Sequence, residues 1–266
     1  ALSVSMLAGC GSTAKNNDTA SDSAAADTSA SADSDLEYVK SQGKLVVGIT
    51  EFAPMDYQDK DGNWIGFDAE MATEFAKSLG MDAEFVVIDW DNKIAELNNG
   101  TIDCVWNGMT LTDDVKEAMS CTKAYCNNAQ VVIVKKDVAD KYKTADDCRE
   151  LNFAVESGSA GEEMAKENGF KYTPVKDQAT ALTEIAAGTS DAAIIDSLMA
   201  AAMVGDGTSF ANLTYTVSLN SEEYGVGFKK GSDLTEKLNK FFDESAKNGL
   251  TEKIAKKYGV QAAIIK

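Results

Sequence analysis

The sequence predicts an α/β fold built as two related lobes. Three observations predict it. Short apolar, β-branched runs alternate with segments of helical periodicity, the pattern of strand–helix–strand units around a parallel sheet. A short helix leading through Gly-Thr-x-Asp into an apolar strand occurs twice, as IAELNNGTIDCVWNG and as LTEIAAGTSDAAIID, with matching elements around each copy. The length, 266 residues, suffices for two modest lobes.

The elements follow in order. LVVGIT (45–50) reads as a buried strand, and Pro54 with DKDGN (59–63) marks turns. Phe67, Met71, Phe75 and Leu79 recur every four residues with Ala72 and Ala76 beside them, one face of a helix with Asp68 as its N-cap and Gly80 beyond its end. EFVVI (84–88) is a strand, 91–99 a short helix closed by Gly100, and DCVWNG (103–108) a third strand. The second half repeats this with 151–159 as a strand running into a Gly/Ser turn, helix 162–169, helix 178–187 and strand DAAIID (191–196). EYGVGFKKGSD (223–233) is a strand and turn, and 234–259 is helical. Leu238, Phe241, Phe242, Ile254 and Tyr258 form its apolar side. Its positive and negative charges interleave, as on a solvated outer face rather than a membrane-binding one.

Composition excludes several functions. The formal charge of −18 argues against a nucleic-acid partner, which needs clustered Lys and Arg. There is no histidine, which removes the commonest general base, Ser–His and Cys–His couples and most zinc sites; neither a metal nor a cofactor is expected. Arg149 is the only arginine. The five cysteines (Cys10, Cys104, Cys121, Cys126 and Cys148) contain no CxxC pair. The last four are expected as free, partly buried thiols, with Cys121–Cys126 the nearest alternative pair.

The first ten residues, ALSVSMLAGC, are too short to span a bilayer and resemble the tail of a bacterial lipoprotein signal, with LAGC as lipobox and Cys10 as the lipidated residue; a clipped secretory signal is the alternative. Residues 11–35 are Ser, Ala, Asp and Thr without a large apolar side chain, and are expected as a disordered tether.

LVVGITEFAPMDY, GNWIGFDAEMATEFAKSLG, DWDNKIAELNNGTIDCVWNGMTLTDD, AVESGSAGEEMA, GTSDAAIID and EYGVGFKKGSDL, in this order, resemble the extracellular solute-binding proteins, family 3, of polar amino-acid ABC importers. The resemblance implies a type II periplasmic-binding fold with two hinge strands: lobe 1 from 36–127 and 222–266, lobe 2 from 128–221, and a ligand trapped by closure of the cleft. It implies a monomer on the extracellular face of the membrane, partnered by ABC permease subunits.

Ligands of open α/β sheets sit beyond the carboxyl ends of the strands, so the turns after strands are the candidate site. Phe52 and Trp90 match aromatics that sandwich the ligand, whereas Trp106 fits core and cleft equally. Asn107, Gly108 and Thr110, with the helix start after Thr112, suit an anionic group. Ser157, Gly158, Ser159, Ala160 and Gly161 offer a second nest of donors, or only a helix cap. Asp196 matches an acid for the ligand's α-ammonium; the alternative is a cap on the next helix. Val115 stands where the family usually places a carboxylate-binding arginine. Lys116, next door, points about a hundred degrees away around the helix. Glu51 and Glu156 with Asp196 suggest an acidic cleft for a cationic ligand. Capture without catalysis is the favoured function. A sensor subunit of the same fold and a dehydratase-type enzyme on it are the alternatives.

Overall fold

The computed structural model describes residues 34–265, so Cys10 and residues 11–33 of the expected tether lie outside the described residues. The last two residues of that segment are helical boundary: Ser34 caps α1 (Asp35–Gln42) by accepting from the Glu37 N–H, and its hydroxyl donates to Asp233.

Two sheets follow. The chain runs through β1 (Lys44–Ile49), a hairpin of β2 (Tyr57–Gln58) and β3 (Trp64–Ile65), α2 (Phe67–Ser78), β4 (Asp82–Val87), α3 (Lys93–Asn99) and β5 (Cys104–Thr110). It continues through α4 (Asp113–Ala118), β6 (Ser120–Cys121) and β7 (Cys126–Asn128). It then enters β8 (Gln130–Lys135), β9 (Asn152–Glu156), α5 (Ala160–Glu167), β10 (Lys171–Val175), α6 (Gln178–Ala187), β11 (Ala192–Asp196), α7 (Ser197–Met203) and β12 (Leu213–Ser218). It ends in β13 (Glu222–Phe228), α8 (Leu234–Asn248) and α9 (Leu250–Tyr258).

The first sheet has the order β4-β1-β5-β13-β6, with β7 also on β13; the second has the order β10-β9-β11-β8-β12. β1 is parallel to both β4 and β5, and β9 is parallel to both β10 and β11, so the two copies of the helix–Gly-Thr-x-Asp–strand motif feed corresponding central strands, β5 and β11. The chain passes between sheets at β7–β8 and again at β12–β13. Gln130 and Leu219 are tied at this crossing: the Leu219 N–H donates to the Gln130 carbonyl, and the Gln130 N–H to Asn220 Oδ1.

Local chemistry sets the boundaries. Gly43, Gly100, Gly188 and Gly249 end their helices in the left-handed conformation. Thr112, Ser159 and Asp177 cap the starts of α4, α5 and α6. Phe67, Met71 and Phe75 of α2 are buried against the first sheet, and each such side chain contributes about 1.5–3 kcal/mol by burial. Trp106 belongs to this core, between the rings of Phe75 and Phe242. The single helix read over 234–259 is two, broken at Gly249.

Asp68 is not the N-cap of α2. Gly66 occupies that position, with the Met55 carbonyl oxygen 2.1 Å from where a Cβ would stand. Asp68 lies in the first turn, fully buried, and accepts from the Gly108 N–H and the Tyr125 hydroxyl, both at 2.7 Å. Cys104, Cys121, Cys126 and Cys148 are all free thiols, as their apolar settings favour; burial raises the pKa of each. Among the described residues no helix is long and apolar enough to cross a membrane.

Candidate functional site

A cleft of about 430 Å³ lies where the carboxyl ends of strands from both sheets converge. β1 brings Thr50 and Phe52, β5 brings Asn107 to Thr110, β9 brings Glu156, and β11 brings Asp196. The walls come from Trp90 to Ile94, from α4 with Thr112, Asp114 and Val115, and from the first turns of α5 and α6. Each of these strands hands over to a helix or loop at this edge, which places its last residues at the cleft.

Two buried carboxylates form the floor. Asp196 is 4% exposed and stands at the N-cap position of α7, yet its side chain makes no capping bond. Instead Oδ1 accepts from Gln130 Nε2 at 2.6 Å and Gln178 Nε2 at 3.0 Å, while Oδ2 accepts from the Tyr224 hydroxyl. Burial, reinforced by the charge of Glu222, pushes Asp196 up to about 7. Glu156 is 3% exposed; burial, Asp196 and Asp177 push it up to about 8. Its Oε2 receives only a long bond from Gln178 at 3.5 Å, and Oε1 has no partner among the described residues. A buried oxygen without a donor is costly, which accords with the upward shift of this carboxyl.

Lys93, 7% exposed, crosses the cleft. Its Nζ donates to the Trp90 carbonyl at 3.2 Å and to the Gly158 carbonyl at 2.9 Å, and lies 4.9 Å from the Trp90 ring centroid. Burial lowers its pKa. At Gly158 (φ +70) a Cβ would stand 2.6 Å from Asp91 Cα, so only glycine permits this approach.

Of the residues expected in the site, Phe52, Trp90, Asn107, Gly108, Thr110, Glu156, Gly158, Ser159, Ala160 and Asp196 line this cleft, and Glu51, Ser157 and Gly161 do not. Glu51 is exposed, accepts from the Gln58 N–H at 3.2 Å and borders side depressions instead. Ser157 extends the β9–β10 pairing through its N–H to the Val175 carbonyl.

Several expected donors are already engaged. The Gly108 N–H is spent on Asp68, and its missing side chain makes room for Phe52, whose Cε1 lies 2.4 Å from where a Cβ would be. Asn107 turns inward, donating to Asp56 at 3.0 Å and accepting from the Thr50 N–H. The Thr110 hydroxyl donates to Glu222 at 2.9 Å. The Ser159 hydroxyl donates to the Glu156 carbonyl and caps α5 by accepting from the Glu162 N–H. Val115 is buried in an apolar cluster with Trp90 and Met109. Lys93 and Gln178 were not singled out in the sequence. Gln178 directly follows the Asp177 cap, a detectable helix start, but its reach to both Asp196 and Glu156 is tertiary.

Comparison with known proteins agrees with this architecture. The L-cystine-binding protein TcyJ of Escherichia coli (strain K12) is 30% identical over 227 residues, 84% of this chain and 85% of that one. The arginine-binding extracellular protein ArtP of Bacillus subtilis (strain 168) is 30% identical over 222 residues, 81% of this chain and 86% of that one. Among solved structures, an ABC uptake transporter substrate-binding protein from Streptococcus pneumoniae with bound histidine superposes with a TM-score of 0.79 at 27% identity, covering 88% of this chain and 99% of that one. Residues 45–261 match the family model of bacterial extracellular solute-binding proteins, family 3, and the chain belongs to that family.

Proposed function

We propose that this chain captures an amino acid or related small amine in the cleft and presents it to the permease of an ABC importer, tethered to the outer face of the cell membrane by a lipid on Cys10. The carrying observation is the pair of buried carboxylates, Asp196 and Glu156, at the meeting point of two sheets. A buried acid with an unpartnered oxygen suits a ligand ammonium, which supplies both charge and donors. Phe52, Trp90 and Met109 supply apolar wall for the rest of the ligand. Relatives named for binding cystine and arginine fit the same reading.

Thermal melting of the purified chain with a panel of amino acids and amines tests it. Upshifts with some members are expected; a curve unmoved by every one of them refutes capture. In whole cells, Cys10→Ser should release the protein into the surrounding fluid, and retention at the membrane would remove the lipid anchor from the reading.

A further inference from the structure

A second chamber of about 460 Å³ adjoins the cleft and shares Thr110, Thr112, Ala160 and Glu163 with it. The charge of the combined space is one-sided. The inner chamber carries Asp91, Asp114, Glu156, Glu162, Glu163 and Asp196. The outer chamber adds Asp113, Glu167, Glu222 and Glu223. Three lysines oppose them. Lys93 is committed to two carbonyls, and Lys166 lies 3.0 Å from Glu162. Lys116 is exposed at the outer chamber. The only arginine, Arg149, is paired with Asp146 and lines neither chamber. A ligand carboxylate entering the inner chamber would meet buried carboxyl groups and, among the described lining residues, no lysine or arginine that is not already committed.

Resting on the solute-capture reading, we propose that the ligand is a linear aliphatic diamine or polyamine that carries no carboxylate. One ammonium binds at Glu156 Oε1 and Asp196. The methylene chain lies along Trp90, Ile94, Met109 and Val115. The second ammonium reaches Glu163, which both chambers share, and the acids beyond it. Glu156 lines the inner chamber and keeps a buried, unpartnered oxygen, which distinguishes this site from a merely acidic surface.

A proton signature follows. Glu156 and Asp196 are faced by Lys93 of α3, Asp177 and Gln178 at the start of α6, Gln130 of β8, and Glu222 and Tyr224 of β13. Burial raises both carboxyls, so an arriving ammonium must displace their protons. Aliphatic ammonium groups stay charged through this range, so binding should tighten as pH rises from 6 to 8, at most about tenfold per pH unit for each proton released.

Calorimetry of the full chain, stripped of ligand, should compare 1,5-diaminopentane with L-lysine and 1,4-diaminobutane with L-ornithine, with pentylamine, spermidine and neutral amino acids included. The diamines are expected to bind at least about tenfold more tightly than their parent amino acids, because only the parents bring a carboxylate against the acidic lining. Glu163→Gln should weaken the diamines severalfold and leave pentylamine unchanged, and Glu156→Gln should weaken all amines without lowering the melting point. Amino acids binding as tightly as their decarboxylated twins, or Glu163→Gln affecting pentylamine equally, would overturn the proposal and leave solute capture standing. Binding by no member of the panel would overturn solute capture as well.

Discussion

Gly108→Ala tests how the cleft wall is built. The residue sits at φ +53, which costs an L side chain about 1–2 kcal/mol. The added Cβ would also stand 2.4 Å from Phe52 Cε1 and 3.1 Å from Tyr224 Cε2. Phe52 cannot simply retreat, because its ring packs edge-to-face on Tyr224 with centroids 6.4 Å apart. Overpacking of this kind costs about a further 1–3 kcal/mol. Gly80→Ala is the control: its φ is +79, but nothing lies within 4 Å of the new Cβ. A chain of this size loses about 2–4 °C per kcal/mol, so Gly108→Ala should melt ~2–12 °C below Gly80→Ala. It should also weaken ligand binding in calorimetry, because Phe52 must shift into the cleft. Equal melting points for the two variants would show that Phe52 does not rest on Gly108, and the reading of that wall would fail.

Stability of the ligand-free protein should fall as pH rises from about 5 to 8. Glu156, Asp196 and Asp68 are raised by burial to about 8, 7 and 6, so in that window the unfolded state holds fewer protons than the folded one. Melting curves across pH check this, and Glu156→Gln should flatten the slope. Lys93→Met leaves the Trp90 and Gly158 carbonyls without their shared donor, and should cost about 1–3 kcal/mol in chemical denaturation. Asp196→Asn keeps the size of a side chain that receives three hydrogen bonds, so the variant should fold; its ligand affinity should drop at least about tenfold on removal of the charge. Wild-type affinity in Asp196→Asn would remove that carboxylate from the site.

Much of the fold was legible because it rests on local signals. Helix 178–187 was read to the residue, since Asp177 and Gly188 both punctuate it. The repeated Gly-Thr-x-Asp identified the two central strands. The β2–β3 hairpin, β6, β7, β8, β10, β12, α1 and α7 are absent from the sequence reading: the hairpin strands, β6 and β7 are two or three residues long, Pro174 interrupts β10, Leu213–Ser218 alternates too weakly to stand out, and the apolar run of β8 is a strand signal that the reading passes over. The site was legible as positions after strands, less so as chemistry. Asn107, Gly108 and Thr110 reached the cleft as expected, but their partners Asp56, Asp68 and Glu222 lie 51, 40 and 112 residues away in sequence, and nothing local announces such pairings. Asp68 was misplaced for the same reason. An acid at a helix start ordinarily caps it, and only the fold shows that Gly108 and Tyr125 claim this one.

The crossing between the sheets has a mechanical corollary. Tyr224 belongs to β13 of the first sheet and Asp196 to β11 of the second, and Glu222 binds Gln130, which in turn binds Asp196. The strand crossing and the candidate site therefore draw on one set of protons. If the proposed ligand takes the Asp196 oxygens, the Gln130 amide and the Tyr224 hydroxyl lose an acceptor, and the bonds that join the two sheets shift with occupancy.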